Sequence, residues 1–290
     1  MENRDVHTEH RTFVDAEGVT IHTTVWHAES PKAIIQISHG LGDHSARYDH
    51  LARTLATQGF TVYADDHRGH GETGREQWGG NLAKLGRLGP GGLRATVAAI
   101  GQFTGMIRAD NPGLPLIFLG HSWGSLMGQM ALDAGTLDVD AAVFSGSALR
   151  LPWSMNPGDL NAKHKHLGST GSEWLSRDPA VAAAFLADPL TFKADVLKLF
   201  GLADGLRLYG TPKPAHTDIP LLLISGTDDS VCSEKSLVEL LRRYIAAGYS
   251  NAQLTMYDGA RHEVYNETNR DEVYADVVRW IDTHVLKESH

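Results

Sequence analysis

The sequence places one serine inside a five-residue pattern that is typical of a nucleophile. Gly120-His121-Ser122-Trp123-Gly124 follows the apolar run LIFL and precedes SLMGQMALDA, which has a helical pattern. A sharp turn from strand to helix strains the serine backbone and exposes its Oγ, and flanking glycines avoid clashes there. The first turn of the helix also directs backbone N–H groups toward developing negative charge. The pattern therefore predicts that Ser122 is the nucleophile of an acyl-transfer reaction.

A serine hydroxyl needs a general base to remove its proton, and that base needs an acid to orient it. The chain has 16 histidines, and the candidate base is His262, because it follows the last predicted strand and precedes the last predicted helix. Two carboxylates, Asp228 and Asp229, stand in the loop after the strand PLLLIS, where the acid belongs. The residues alone leave both open, since Asp also caps local backbone in turns.

Acyl transfer also requires two hydrogen-bond donors for the oxyanion. These are typically the backbone N–H after the nucleophile and another from the loop after an early strand. The N–H groups of Trp123 and Leu41 fit these positions. Leu41 lies in His39-Gly40-Leu41-Gly42, whose glycines allow the main chain to approach a ligand closely.

Other histidines and glycines have simpler interpretations than metal or cofactor binding. Four histidines, His67, His70, His164 and His166, lack a Cys/His ligand spacing, and no HExxH pattern occurs. The glycines of HRGHG, residues 67–71, do not open a βαβ dinucleotide fingerprint. We therefore expect no metal and no cofactor, and we expect these glycines to shape a loop beside the site.

Short apolar runs alternate with helical patterns along most of the chain, which is typical of a parallel sheet with helices on both faces. The predicted strands are 33–38, 60–64, 116–119, 141–145, 220–225 and 253–257. The predicted helices are 48–58, 93–108 and 270–285. Before them, alternation on both sides of Glu17-Gly18 predicts a hairpin at a sheet edge. The sequence therefore predicts an α/β fold.

The alternation lapses between about residues 149 and 218, where apolar residues stand among prolines and glycines. A loop of this length without its own structure is uncommon, so an inserted cap is favoured over an irregular connection. We expect a core formed by residues 1–148 and 219–290, and a mostly helical cap formed by residues 149–218.

Composition excludes several classes of protein. The chain has 290 residues, of which 42% are hydrophobic and 21% charged, as in soluble globular proteins. Its formal net charge of −9 argues against binding nucleic acid, because that binding depends on Lys and Arg displacing counterions. A single cysteine, Cys232, excludes an intrachain disulfide.

The expected location is the cytoplasm. The amino terminus MENRDVHTEHR lacks the apolar run of a secretory signal. Apolar runs such as 221–224 are far shorter than the roughly 20 residues that cross a bilayer. A peripheral membrane contact through an amphipathic surface of the cap stays open.

Four stretches resemble the monoacylglycerol lipase and lysophospholipase branch of the α/β-hydrolases, which is grouped with the serine aminopeptidase S33 family. They are HGLGDHSARYDHLARTLATQGFTVYADDHRGHGET, GHSWG, ISGTDDSVC and GARHEVYNE, and they span residues 39 to about 270. The resemblance implies an α/β-hydrolase fold with a cap insertion.

The resemblance also implies site residues. In that family the acid loop reads G-x-x-D, which falls on Gly226 and Asp229, so Asp229 is favoured over its neighbour. The histidine of the R-H-E segment falls on His262, and the oxyanion donors fall on Leu41 and Trp123. Trp123 departs from the Met that this branch often has, which predicts a differently shaped acyl pocket. Cys232 resembles a cysteine near the active site in some monoacylglycerol lipases, although a small buried apolar role is the commoner one.

These observations together predict a serine hydrolase that cleaves carboxylic esters, and the expected substrates are monoacylglycerols or similar single-chain lipid esters. A peptidase or a lactonase could use the same triad. A peptidase would want acidic groups in the cap for an amine, and Glu173 and Asp178 are available, but solvated helix positions are the expected role for both. A ligand-binding sensor with negligible turnover is the alternative from another class, and the intact catalytic set argues against it.

Overall fold

One eight-stranded sheet runs through the computed structural model, which describes residues 6–194, 196–215 and 217–286. The strands follow the spatial order β1-β2-β4-β3-β5-β6-β7-β8. They are β1 (Thr8–Val14), β2 (Thr20–Trp26), β3 (Ala33–Ser38), β4 (Phe60–Asp65), β5 (Leu116–His121), β6 (Ala141–Ser145), β7 (Leu221–Gly226) and β8 (Ala252–Tyr257).

Strands β3 to β8 are mutually parallel, whereas β1 and β2 form an antiparallel hairpin at one edge. Every residue of β3, β4, β5, β6 and β7 is buried. Continuous apolar runs are typical of parallel strands that are covered on both faces. The predicted hairpin and mostly parallel sheet are therefore confirmed.

Eight α-helices occur in the described residues, and they cover both faces of the sheet. They are α1 (Asp49–Thr57), α2 (Gly71–Gln77), α3 (Gly92–Asp110), α4 (Trp123–Asp133), α5 (Pro179–Ala187), α6 (Val196–Arg207), α7 (Glu234–Ala246) and α8 (Arg270–His284). Helices α3, α4 and α7 pack on the face that includes Ile34, and α1 and α8 pack on the face that includes Ile35. Successive residues of β3 thus point into two different cores.

Two helices were not predicted from the sequence. Helix α2 begins at Gly71, directly after the turn of residues 68–70, which lies in the loop that was expected beside the site. The carboxylate of Asp66 accepts a hydrogen bond from the Glu72 N–H (2.8 Å) and satisfies the first turn of α2. Helix α7 begins after Ser233, whose side chain accepts from the Ser236 N–H as an N-cap.

The segment 149–218, which connects β6 to β7, carries helices α5 and α6 in its second half. Its first half consists mainly of turns and one short 3₁₀ helix, Lys165–Leu167, so it is less helical than expected. Helix α6 is kinked at Gly201, where φ is +71°. Within the described residues, no helix is both long and apolar enough to span a bilayer.

Candidate active site

Ser122 occupies the turn between β5 and α4, in a strained backbone conformation. Its φ is +52° and its ψ is −122°, and it is the only non-glycine residue with a positive φ in the described part of the chain. Such strain costs about 1–3 kcal/mol and persists only where surrounding contacts enforce it. Here the Ser122 N–H donates to the Ser145 carbonyl oxygen of the neighbouring strand (2.8 Å), and α4 begins at the next residue.

The glycines of the motif are required by space. A Cβ at Gly124 would overlap the carbonyl oxygen of Ser38, and one at Gly120 would lie 2.8 Å from the Ser125 Cα. A Cβ at Gly40 would lie 3.3 Å from the Ser122 Cβ. The loop that contains Leu41 therefore runs directly beside the Ser122 side chain.

Asp229 and His262 come from two different loops and form a buried pair. The Nδ1 atom of His262 lies 2.9 Å from one carboxylate oxygen of Asp229 and 3.0 Å from the other. The same carboxylate accepts from the Val231 N–H (2.8 Å) and from the Ser225 hydroxyl (3.1 Å). These bonds fix the carboxylate at the end of β7, where it can orient the imidazole.

The pair perturbs the pKa of both members. Burial raises the pKa of Asp229, but the charge of His262 and the accepted hydrogen bonds outweigh burial and hold this pKa below its ordinary value. Burial lowers the pKa of His262, but the charge and hydrogen bond of Asp229 outweigh it and raise this pKa above 6.5. The arrangement thus stabilises an imidazolium, as a general base requires once it has accepted a proton.

The Asp228 side chain pairs with groups other than His262, although Asp228 is the neighbour of Asp229 in the chain. Its side chain is 40% exposed and pairs with the Lys163 ammonium group at 2.6 Å. It also lies 3.8 Å from the Arg261 guanidinium. Of the two carboxylates that the sequence left open, Asp229 is the one in contact with His262.

Residues close to Ser122 contact His262, but Ser122 itself makes no hydrogen bond with His262. The imidazole of His121 lies 4.8 Å from that of His262 and is tilted by 50° relative to it, and a Cβ at Gly146 would lie 2.9 Å from the His262 Cε1. The His262 Nε2 is buried and has no hydrogen-bond partner among the described residues. Catalytic hydrogen bonds are often long without substrate, so this geometry is compatible with a Ser–His pair.

Both predicted oxyanion donors flank Ser122. Trp123 is the first residue of α4, so its N–H belongs to the open end of the helix. The Leu41 N–H makes no hydrogen bond within the described ranges. The Trp123 ring packs 5.1 Å from the ring of His70 and 5.8 Å from that of His67.

A buried ionic network beside the site was missed by the sequence analysis. Arg47 donates two hydrogen bonds of 2.8 Å to the Glu263 carboxylate and one of 3.0 Å to Asp43. The Tyr48 hydroxyl also donates to Asp43 (2.9 Å). Because Glu263 directly follows His262, this network anchors the histidine loop to the segment after Leu41. The i,i+4 spacing of Asp43 and Arg47 could have indicated their ion pair. Glu263 lies 216 residues after Arg47, so no local pattern indicates that it joins them.

The structure also locates the two acidic residues of the segment 149–218 that were considered for binding an amine, and the single cysteine. Glu173 is not a solvated helix residue: it is buried in a turn, and its carboxylate accepts from Asn161 and from the Thr170 N–H, each at 2.6 Å. Asp178 caps the start of α5 by accepting from the Ala180 N–H. Cys232 is buried, which raises its pKa to about 11. The described residues contain no His, Cys, Asp and Glu cluster suited to a metal ion.

Residues 29–269 match the family described as serine aminopeptidase, S33. The chain is 31% identical to monoacylglycerol lipase of Mycolicibacterium smegmatis, with 94% of this chain and 97% of the relative covered. It is 29% identical to monoglyceride lipase of Homo sapiens, with 93% and 89% covered. A thermostable carboxyl esterase of Bacillus coagulans, solved with glycerol, has a TM-score of 0.80 at 22% identity, with 96% and 98% covered, which is a likeness of fold. The resemblance that the four sequence stretches indicated is therefore confirmed.

Proposed function

Because the chain belongs to the serine aminopeptidase S33 family and is a carboxylic ester hydrolase, we propose that it cleaves monoacylglycerols or similar single-chain lipid esters. The proposed catalytic residues are Ser122, His262 and Asp229. The observation that carries the proposal is the buried Asp229–His262 pair beside a strained serine. No element of this set needs a cofactor.

In the proposed first half-reaction, the Ser122 Oγ attacks the ester carbonyl carbon while the His262 Nε2 accepts the hydroxyl proton. The tetrahedral intermediate collapses when the alcohol oxygen leaves and takes that proton from His262. An acyl group then remains on Ser122 as an ester. In the second half-reaction, His262 accepts a proton from water as the water oxygen attacks the acyl carbon. His262 then returns this proton to the Ser122 Oγ when the tetrahedral intermediate collapses, which releases the carboxylic acid and the free serine.

Asp229 and the two backbone amides have distinct roles in this scheme. Asp229 holds the proton-bearing Nδ1 of His262, so that Nε2 faces the reaction, and its charge stabilises the imidazolium. The N–H groups of Leu41 and Trp123 donate to the oxyanion. Removing one such donor from an acyl-transfer enzyme typically costs about 10²–10³ in kcat.

We propose that the segment 149–218 acts as a cap over this site. Its Phe192 N–H donates to the Gly42 carbonyl oxygen (3.1 Å), and its Asp188 pairs with the His44 imidazole at 2.8 Å. Both contacts attach the second half of the segment to residues 40–44, the loop that contains Leu41 and that we call the oxyanion loop. The attachment supports a cap that closes over the bound ester.

A cavity between the first half of this segment and the acid loop supports an acyl-chain substrate. Its volume is about 410 Å³, and one of its lining residues is Asp229. Its wall combines apolar side chains with polar and charged ones: Trp153, Met155, Leu160 and Val231 among the former, and Asn156, Asp159 and Lys163 among the latter. Burying each methylene of an acyl chain there would contribute about 0.8 kcal/mol to binding.

The same structure gives little support to a peptidase that binds a free amino terminus. Of the two acidic residues considered for holding an amine, Glu173 is buried and already accepts from Asn161 and Thr170, and Asp178 accepts from the Ala180 N–H at the start of α5. An amine would have to displace those bonds. For this reason an ester substrate is favoured over a peptide with a free amino terminus.

The test is hydrolysis of a panel of monoacylglycerols of increasing chain length, short aryl esters, lysophospholipids and aminoacyl amides. Wild type should turn over repeatedly on the esters, with kcat/KM rising with acyl length on monoacylglycerols, and Ser122→Ala should lose this activity. Preferred cleavage of aminoacyl amides would replace the ester proposal with a peptidase. Binding without turnover would replace it with a sensor.

A further inference from the structure

His39 directly precedes the oxyanion loop, and its imidazole is buried against that loop. We propose that His39 is a positioning residue that fixes the plane of the Gly40–Leu41 peptide, so that the Leu41 N–H stays directed at the oxyanion. This inference rests on the proposed function, since it assigns a cause to the geometry of one proposed donor.

Two hydrogen bonds hold the imidazole of His39. Its Nδ1 lies 2.7 Å from the carbonyl oxygen of Gly40, and its Nε2 lies 3.0 Å from the backbone nitrogen of His67. The ring therefore bridges the oxyanion loop and the chain that follows β4. All of these groups are buried.

The His67 contact determines which nitrogen of His39 carries the proton. A backbone N–H can only donate, so the His39 Nε2 must present a lone pair to the His67 N–H. In a neutral imidazole the proton then resides on Nδ1, which donates to the Gly40 carbonyl oxygen. Burial is the main cause that keeps the pKa of His39 well below 6.5, so the ring stays neutral.

Fixing the Gly40 carbonyl also fixes the Leu41 amide, because they belong to one peptide unit. The unit is planar and trans, so its C=O and N–H point in opposite directions. With its carbonyl oxygen held by the imidazole, the peptide must direct the Leu41 N–H away from His39. On that opposite side the N–H is left without a partner in the described part of the chain, as an oxyanion donor requires.

The support for His39 is itself rigid. The His67 ring stacks on the His39 ring at 3.9 Å between centroids. Its Nδ1 lies 2.7 Å from the Asp65 carboxylate and its Nε2 lies 3.0 Å from the Ser38 hydroxyl. Asp65 and Ser38 end the adjacent parallel strands β4 and β3. The bond to Gly40 therefore connects the loop to the central sheet.

The other bonds of the loop do not replace this one. The Gly40 N–H lies 3.4 Å from the Asp43 carboxylate, and the Gly42 carbonyl accepts from Phe192. The first contact holds the His39–Gly40 peptide, and the second holds the Gly42–Asp43 peptide. The peptide between Gly40 and Leu41 is held at its carbonyl by His39.

The test compares His39→Leu, which removes the donor, with His39→Asn, whose amide nitrogen can occupy the position of Nδ1. We expect His39→Leu to lower kcat on an aryl ester by about 10²-fold with KM nearly unchanged, as for loss of one oxyanion donor. His39→Asn should recover at least about tenfold of that loss. Affinity for a trifluoromethyl ketone, which forms an anionic tetrahedral adduct, should fall in parallel with kcat/KM.

Gln36→Leu is the matched control, because Gln36 is equally buried in β3 but its side chain bonds the Ile100 carbonyl and the Thr104 hydroxyl, away from the loop. It should lose comparable thermal stability while keeping kcat within a few-fold. Equal activity of His39→Leu and wild type would overturn the proposal, as would a folded His39→Asn as inactive as His39→Leu. Since wild type and Ser122→Ala test the hydrolase itself, a failure of His39 is distinguishable from a failure of the proposed function.

A measurement on the wild type decides the matter if the variants do not fold. Nitrogen-15 NMR of the histidine rings reports which nitrogen is protonated. A proton on the His39 Nδ1 alone supports the proposal. A proton on Nε2, or on both nitrogens, overturns it.

Discussion

Replacing Asp229 by asparagine should disable the enzyme while leaving its fold recognisable. The change keeps the shape of the side chain but removes the charge that faces His262 at 2.9 and 3.0 Å. Breaking a buried, hydrogen-bonded charge pair typically costs about 3–5 kcal/mol. If that interaction is fully expressed in the imidazolium-like transition state, each 1.36 kcal/mol lowers the rate tenfold, so kcat/KM should fall by about 10²–10⁴. An asparagine NH₂ can also donate to Nδ1 and favour the wrong tautomer.

Asp228→Asn is the matched control, because the neighbouring carboxylate is 40% exposed and pairs with Lys163. An exposed pair contributes about 0–1 kcal/mol, so its kcat/KM should stay within a few-fold of wild type. The assay is steady-state hydrolysis of a soluble aryl ester at pH 8, with circular dichroism to verify folding. A larger loss of kcat/KM in Asp228→Asn than in Asp229→Asn would show that Asp229 is not the acid of the triad.

Three other predictions concern protonation and the ionic network. Asp229 raises the pKa of His262 above 6.5, and His262 must be neutral to act as the base. We therefore expect kcat/KM to decrease as the pH falls through a midpoint above 6.5. A midpoint below 6.5 would show that Asp229 does not raise the pKa of the catalytic base. Glu263→Gln should lower the free energy of unfolding by about 3 kcal/mol, because it leaves the buried Arg47 with one carboxylate fewer, and urea denaturation would measure it; unchanged stability would show that the pair contributes nothing. Cys232, with a pKa of about 11, should react with iodoacetamide far more slowly than a free thiol at pH 7.5, as mass spectrometry can follow; rapid labelling would contradict its burial.

The parts of the fold that were predictable are those encoded by local pattern. The run AIIQIS gives β3 at the expected residues, because a strand buried on both faces must be apolar throughout. The stripe of α8 is likewise buried at Val273, Val277 and Trp280. The motif around Ser122 is local too, since strand, turn and helix follow each other within a few residues.

What could not be predicted depends on contacts between distant segments. Asp228 and Asp229 are equivalent as residue types, and although the family pattern favours Asp229, its contact with His262 depends on the approach of a loop 33 residues later. The burial of Glu173 depends on Asn161, which lies 12 residues earlier in the chain and donates to its carboxylate. The start of α2 was obscured by glycine, and the Asp66 carboxylate that stabilises it lies outside the helix.

The central claim is that Ser122 carries the acyl group between the two half-reactions. Rapid quenching of the enzyme with an excess of an aryl ester, followed by peptide mass spectrometry, would detect this intermediate. An acyl mass should form on the peptide that contains Ser122 at a rate that supports turnover, and Ser122→Ala should show neither the adduct nor turnover. Undiminished ester hydrolysis by Ser122→Ala would contradict this claim.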